Sequence, residues 1–374
     1  TDTPTQSVAL ALENGCDLNC GDSYRCILQA VREGLITEEQ ITAAAERLFT
    51  TRYLLGILGE GSAFDKIPYE VVECEEHLAL AQEAARKSCV LLKNTGLLPL
   101  NVETVGTVGV IGPNANSRLS LIGNYHGTAS RYITVLEGIQ DAMAGHGRVL
   151  YSEGCGLFKD RVEGLGQPGD RLAEAATVAK HSDTVVLVLG LDETLEGEEM
   201  DAGNNAESCG DKVDLLLPEP QRELLHRVLD VGKPTIVILM AGSAIDLSEA
   251  EEKAEAVLLS WYPGAGGGKA VADILFGKVS PSGKLPVTFY RNKALQEMPE
   301  FTDYSMKNRT YRYYTGQPLY PFGYGLTYGD VVVTGVTADR NTAAVTVESR
   351  GSRATEDVIQ LYIKDQESSH APVN

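Results

Sequence analysis

Long apolar runs are missing from this sequence. No stretch approaches the roughly 20 residues a helix needs to cross a bilayer, so a helical membrane protein is excluded. Basic residues are the next shortage: 32 Lys and Arg stand against 52 Asp and Glu, a net charge of −20. That charge repels phosphate backbones and anionic membrane surfaces. Nucleic acid and membrane are therefore not expected partners, and a neutral small molecule fits better; the same acidity also serves solubility. Cysteine is too sparse for the dense disulfide framework of a small secreted domain. The seven are Cys16, Cys20, Cys26, Cys74, Cys89, Cys155 and Cys209, an odd number that favours a reducing compartment. Cys16 and Cys20 have no second pair nearby, so no metal is expected. Internal repeats and low-complexity tracts are also missing.

Nucleotide-binding and triad motifs fail in the same way. Trp261-Tyr262-Pro263-Gly264-Ala265-Gly266-Gly267-Gly268-Lys269-Ala270 has the glycines of a phosphate loop, but alanine follows the lysine where Ser or Thr is required. No glycine-rich turn follows the first strand, and no cofactor is expected. The six histidines, His126 among them, show no Ser/His/Asp ordering or paired spacing and read as structural or exposed.

What the chain does contain is 374 residues with 43% hydrophobic composition, enough for two or three domains with their own cores. Residues 5–58 carry apolar side chains at helical spacing, including Leu28, Val31, Ile41 and Leu48, without a convincing strand. Residues 59–69, with Gly59, Gly61, Ser62, Asp65 and Pro68, have linker composition, and a new domain is expected to start near Pro68. Beyond it, helical stretches alternate with continuous apolar runs at 89–92, 108–111, 184–189, 234–239 and 256–259. Such runs predict an α/β sandwich over 68–290, a parallel sheet covered on both faces. From about Asp330 strict alternation appears, as in Val331 to Thr334, Ala344 to Val347 and Val358 to Ile363, which predicts an incomplete β-sandwich. The chain opens on Thr1-Asp2-Thr3-Pro4, without methionine or leader, and stops just after a strand-like segment; both ends are expected to be truncations.

The segment richest in chemistry is Gly190-Leu191-Asp192-Glu193-Thr194-Leu195-Glu196-Gly197-Glu198-Glu199-Met200-Asp201. It follows a predicted strand, and the carboxyl ends of strands in open α/β sheets face the ligand crevice. Crowded carboxylates raise one another's pKa, which suits a general acid. A solvated acidic loop is the competing reading.

Taken in order, the motifs resemble glycoside hydrolase family 3 over nearly the whole chain. They are Gly15-Cys16-Asp17-Leu18-Asn19-Cys20-Gly21, Ser88 to Asn94 leading to Gly96-Leu97-Leu98-Pro99-Leu100, Val110 to Ala115 and Gly123-Asn124-Tyr125. The acidic segment follows, then Trp261-Tyr262-Pro263-Gly264, Asp273 to Gly277, Pro281 to Phe289, Arg309 to Tyr313 and Tyr320 to Tyr328. The resemblance implies the helical end of a (β/α)8-like barrel over 1–58, a linker at 59–69, the family's C-terminal α/β sandwich over 70–328, and the start of a fibronectin-III-like domain over 329–374. It also implies a retaining double displacement on an oligosaccharide, with an aspartate nucleophile from the barrel and an acid/base glutamate from the sandwich. The nucleophile is expected upstream of Thr1, outside this chain, so the chain alone is expected to be inactive. Glu196 is favoured as acid/base with Glu198 as the alternative, and substrate contacts are implied for Asp192, Tyr125 and Trp261. Position 202 is alanine where the family usually has arginine. Thr194, Asp192 and the Cys16 to Gly21 motif lean toward β-xylosidases and α-L-arabinofuranosidases over β-glucosidases. Two other classes compete: a non-catalytic sugar-binding module, and, on fold analogy alone, a dinucleotide-binding enzyme.

Overall fold

A computed structural model of the chain describes residues 1–59, 61–160, 162, 164–197 and 212–368. The chain divides into two compact units, Thr1–Cys74 and Glu75–Asn374. Among the described residues, no helix is long and apolar enough to cross a membrane.

The first unit is helical, with α1 (Pro4–Glu13), α2 (Ile27–Arg32) and α3 (Glu38–Leu54) and no strand among its described residues. Helix α3 starts where Thr37 and Gln40 form a reciprocal capping box: Gln40 N donates to Thr37 Oγ1 (3.2 Å) and Thr37 N to Gln40 Oε1 (2.9 Å). Val8, Leu12, Ala30, Ile36 and Ala44 make its small core. Arg47 forks onto Asp17 at 2.8 and 2.7 Å, tying the cysteine-flanked loop to α3.

The second unit begins with α4 (Glu75–Ser88), seven residues beyond Pro68, where the composition places a domain start. It continues through β1 (Val90–Asn94), β2 (Thr107–Ile111), α5 (Leu119–Ile122), α6 (Val135–Met143), β3 (Arg148–Ser152), α7 (Asp170–Lys180) and β4 (Thr184–Gly190). Then come α8 (Glu219–Leu229), β5 (Thr235–Met240), α9 (Ser248–Lys253), β6 (Ala256–Leu259) and α10 (Gly267–Leu275). The six strands form one sheet in the order β1-β6-β5-β4-β2-β3, parallel except for β1, which runs antiparallel to β6.

Every residue of β4, β5 and β6 is buried, because both faces are covered. Side chains alternate between the two layers. Val185, Leu187 and Leu189 pack with Ala175 and Ala179 of α7 and Leu224 and Val228 of α8. Val186 and Val188 pack with Val135 and Ile139 of α6 and Val271 and Ile274 of α10. Each fully buried leucine here contributes about 1.5–3 kcal/mol relative to exposure. Helices α6 and α10 cross at glycines: a Cβ on Gly138 would lie 2.1 Å from the Gly268 carbonyl oxygen.

Two elements depart from the sequence reading. β3 is an edge strand whose Arg148 and Tyr151 are exposed, so it lacks the apolar run that marks its neighbours. After the sheet, β7 (Val331–Ala338) and β8 (Ala343–Ser349) form an antiparallel hairpin. Residues 358–363, expected as a strand, have no ladder partner among the described residues and form none; alternation supplies a face, but a strand also needs a neighbour to bond.

Candidate active site

The acidic segment leaves the carboxyl end of β4 at a point that admits only glycine. Gly190 has φ +149°, and a Cβ there would lie 1.8 Å from the Met240 carbonyl oxygen on β5. Fully buried Gln221 holds its peptide from both sides, accepting from Gly190 N at 2.8 Å and donating to Gly190 O at 2.7 Å. One residue on, Leu191 N donates to Met240 O (2.7 Å), and Asn114 Nδ2 donates to Leu191 O (2.9 Å).

Asp192 folds the next turn. It is 5% exposed, and its Oδ1 accepts from Thr194 N (2.9 Å) and Thr194 Oγ1 (2.6 Å), an Asx turn closed by the threonine hydroxyl. A glutamate at 194 has no hydroxyl to donate there. The Asp192 carbonyl then accepts from Leu195 N and Glu196 N, both at 3.0 Å.

That turn brings Glu196 against the ends of β5 and β6. Glu196 Oε2 accepts from Gly242 N at 2.6 Å and from the Tyr262 hydroxyl; Oε1 accepts from the Ser243 hydroxyl and lies 3.9 Å from Lys212 Nζ. The side chain is only 11% exposed. Asn124 Nδ2 donates to the Glu196 carbonyl at 3.0 Å. Lys212 also donates to Ala244 O at 3.0 Å; burial pushes its ammonium below the usual lysine range, against the opposing pull of Glu196 and Asp214. Burial, reinforced by the charge and hydrogen bond of Glu196, pushes the Tyr262 phenol well above its ordinary value.

The other predicted residues spread around this centre. Tyr125 is 85% exposed at φ +57°, between Asn124, which grips Glu196, and His126, whose Nε2 lies 3.1 Å from Glu193 Oε2. Trp261 turns away from Glu196: its indole N–H donates to Ser88 O (3.1 Å) and its ring meets Phe289 edge-on at 6.2 Å. Its backbone is left-handed at φ +55°, and Tyr262, the next residue, is the one that reaches Glu196. Glu198 and Asp201 lie outside the described residues. The structure therefore brings Asp192, Glu196 and the Asn124–His126 loop together and leaves the Trp261 ring in packing.

Sequence reasoning missed Gly242, Ser243, Tyr262, Lys212 and Asn124. A signal for two of them was present: Gly242-Ser243 follows closely on the apolar run 234–239, at the carboxyl end of a predicted parallel strand. Asn124 and Tyr262 lie in the quoted motifs Gly123-Asn124-Tyr125 and Trp261-Tyr262-Pro263-Gly264, where a neighbouring residue was singled out instead, and Lys212 carries no signal in the sequence.

Comparison with known proteins agrees with this architecture. Residues 89–328 match the family model described as Glycosyl hydrolase family 3 C-terminal domain. The chain is 36% identical over 340 residues to Beta-D-xylosidase 1 of Arabidopsis thaliana, covering 88% of this chain and 41% of that protein. It is 31% identical over 408 residues to the Periplasmic beta-glucosidase of Salmonella typhimurium, covering 98% of this chain and 52% of that one. Among solved structures, a GH3 exo-beta-xylosidase in complex with a xylobiose aziridine activity-based probe superposes with a TM-score of 0.79 at 28% identity, over 96% of this chain and 48% of that chain. The chain thus spans about half the length, or less, of these relatives. With the motif order, the sheet topology and the family match in agreement over residues 89–328, the chain belongs to glycoside hydrolase family 3.

Proposed function

We propose that this chain supplies the acid/base half of a retaining, exo-acting β-glycosidase that removes terminal sugars from plant-type oligosaccharides, a β-xylosidase ahead of a β-glucosidase. The nucleophile comes from residues outside the chain, a reading supported by the chain's spanning 41–52% of the curated relatives described above. The xylosidase reading draws on the Arabidopsis relative and on the Asp192–Thr194 turn; the glucosidase reading draws on the Salmonella relative, which matches 98% of this chain.

One observation carries the assignment within the acidic segment. A general acid must present a carboxyl oxygen to the glycosidic oxygen and later to water. Both oxygens of Glu196 already face a backbone N–H, two hydroxyls and an ammonium, and the side chain is nearly closed off from solvent. That geometry suits an anchor. We therefore assign the acid/base role to Glu198, the alternative the sequence reading ranked second, and the anchoring role to Glu196. Tyr125, exposed beside the segment, supplies an aromatic face for a sugar ring.

The test uses the full-length enzyme and nitrophenyl glycosides of xylose, arabinose and glucose, the preferred sugar identifying the substrate. Glu198→Ala should slow poor leaving groups by about 100-fold or more and spare activated aryl groups in the first step. Added azide should restore its turnover and yield a β-glycosyl azide. Azide rescue of Glu196→Ala without rescue of Glu198→Ala would reverse the two roles, and rescue of neither would place the acid/base elsewhere.

A further inference from the structure

The exposed ring of Tyr125 is carried by a backbone that is fixed on both sides. Before it, Gly123 packs so closely that a Cβ there would lie 2.7 Å from Tyr262 Cδ2, and Asn124 Nδ2 donates to the Glu196 carbonyl at 3.0 Å. After it, His126 Nε2 lies 3.1 Å from Glu193 Oε2. Tyr125 itself sits at φ +57°, a left-handed backbone that strains a residue with a Cβ and persists where the surrounding contacts impose it. The loop after α5 and the acidic segment after β4 are thus tied at two points, one on each side of the tyrosine.

The second tie depends on a proton. His126 Nδ1 lies 2.9 Å from Gly127 O, which can only accept, and Nε2 faces an oxygen of a carboxylate. A neutral imidazole carries one N–H and satisfies one of these acceptors, whereas imidazolium carries two and satisfies both. The geometry therefore holds one proton more than a neutral histidine beside an ionised carboxylate carries. Histidine is the side chain that changes charge between about pH 5 and 8. The other charged groups of the two loops are engaged elsewhere: Arg131 with Glu137 at 3.4 Å, Asp192 with Thr194, and the Glu196 carboxylate with Gly242, Ser243 and Tyr262. Among the described residues, Glu193 is the ion-pair partner of His126.

We propose that His126 and Glu193 are positioning residues that form a proton-dependent latch: with His126 charged, the latch holds Tyr125 ready to stack on a substrate sugar, and substrate binding weakens as rising pH opens it. The inference rests on the role of Tyr125 proposed above. Loss of the His126 proton removes one hydrogen bond and the attraction to Glu193, leaving the tie through Asn124. A tyrosine freed on one side must be ordered again when the sugar arrives, which weakens binding. The side chains of His126 and Glu193 are 34% and 28% exposed, so the proton exchanges with solvent and the attraction is partly screened, which sets the expected effect at several-fold.

The experiment uses the full-length enzyme and a thio-linked disaccharide of its preferred sugar, which it cannot hydrolyse. Calorimetry gives the dissociation constant at about pH 5.5 and about pH 8, on either side of the histidine range. Wild type is expected to bind about fivefold more weakly at the higher pH. His126→Gln and Glu193→Gln should bind weakly at both, and His126→Lys, whose cation persists throughout this range, should bind tightly at both. A latch that served only the fold would not be rescued in this way. Wild-type affinity independent of pH, or a pH response that survives in His126→Gln, would overturn the inference. Tyr125→Ala, run alongside, tests the underlying reading separately. Unchanged affinity in that variant means that Tyr125 is no sugar platform, whereas weakened affinity there with an unaltered pH response in the His126 and Glu193 variants overturns the latch alone.

Discussion

The backbone nitrogen of Gly242 lies 2.6 Å from Glu196 Oε2, so the end of β5 holds a carboxylate that the chain delivered from the end of β4. The glycine is part of the fit. A Cβ at position 242 would stand 3.0 Å from Tyr262 Cε2 and 3.3 Å from Glu196 Oε2, tight enough that both must shift by a few tenths of an ångström. Gly242→Ala is expected to lower kcat/KM of the full-length enzyme by about tenfold. Its melting temperature should move by no more than a few degrees, because the methyl meets two side chains and no backbone. Steady-state kinetics beside a thermal melt checks this; a large drop in melting temperature with unchanged kinetics would be the wrong result.

Asp273 should control acid stability. It is 2% exposed on α10 and accepts from Arg86 Nε (3.0 Å) and Lys269 Nζ (2.8 Å), with Lys278 Nζ at 3.5 Å. Burial raises its pKa, but the hydrogen bonds from Lys269 and Arg86 outweigh burial and hold it below its ordinary value of 3.8. A carboxylate with a depressed folded-state pKa contributes stability that is fully present above its unfolded value and lost as pH falls through the folded one. Asp273→Asn should therefore destabilise the protein between pH 5 and 8 by about 2–4 kcal/mol. The difference from wild type should shrink below about pH 4. Urea unfolding at several pH values measures it, and a difference independent of pH would refute the ion cluster as its source.

The α6–α10 crossing gives a prediction confined to packing. Gly138→Ala places a methyl 2.1 Å from the Gly268 carbonyl oxygen, against backbone that cannot rotate away. Forcing the helices apart should cost about 1–3 kcal/mol. An unchanged denaturation midpoint would show that the crossing is looser than described.

The 374-residue chain by itself is expected to release no nitrophenol from any aryl glycoside, since the covalent step of a retaining mechanism needs a second carboxylate. Robust turnover by the purified chain, with contaminating glycosidase excluded, would overturn the proposed division of the catalytic pair.

How much of this was legible depended on the kind of information each feature needs. β4 and β5 announce themselves as unbroken apolar runs because both of their faces are covered, and Glu196 falls at the carboxyl edge of the sheet because it follows such a run. β3 hides because an edge strand keeps polar residues such as Arg148, and the antiparallel course of β1 leaves no trace in composition. Which residues are partners of Glu196 was not legible, for a topological reason. Ser243 and Tyr262 stand 47 and 66 residues away and arrive only because β5 and β6 lie next to β4 in that order. Trp261 drew attention through the motif Trp261-Tyr262-Pro263-Gly264, yet a left-handed backbone at that position turns the chain so that its neighbour reaches the carboxylate instead.

The spread of those partners along the chain also has a consequence for how the protein is made. Asp192 and Thr194 can form their turn as soon as they are synthesised, since the bonds are local. The three groups that donate to the Glu196 carboxylate, Gly242 N and the Ser243 and Tyr262 hydroxyls, emerge 46 to 66 residues later and cannot act until β5 and then β6 have joined the sheet. Contacts of such long sequence separation form late. The acidic segment should consequently remain a solvated, self-repelling loop through most of folding, which keeps a cluster of carboxylates out of the collapsing core until the donors that accept one of them are in place.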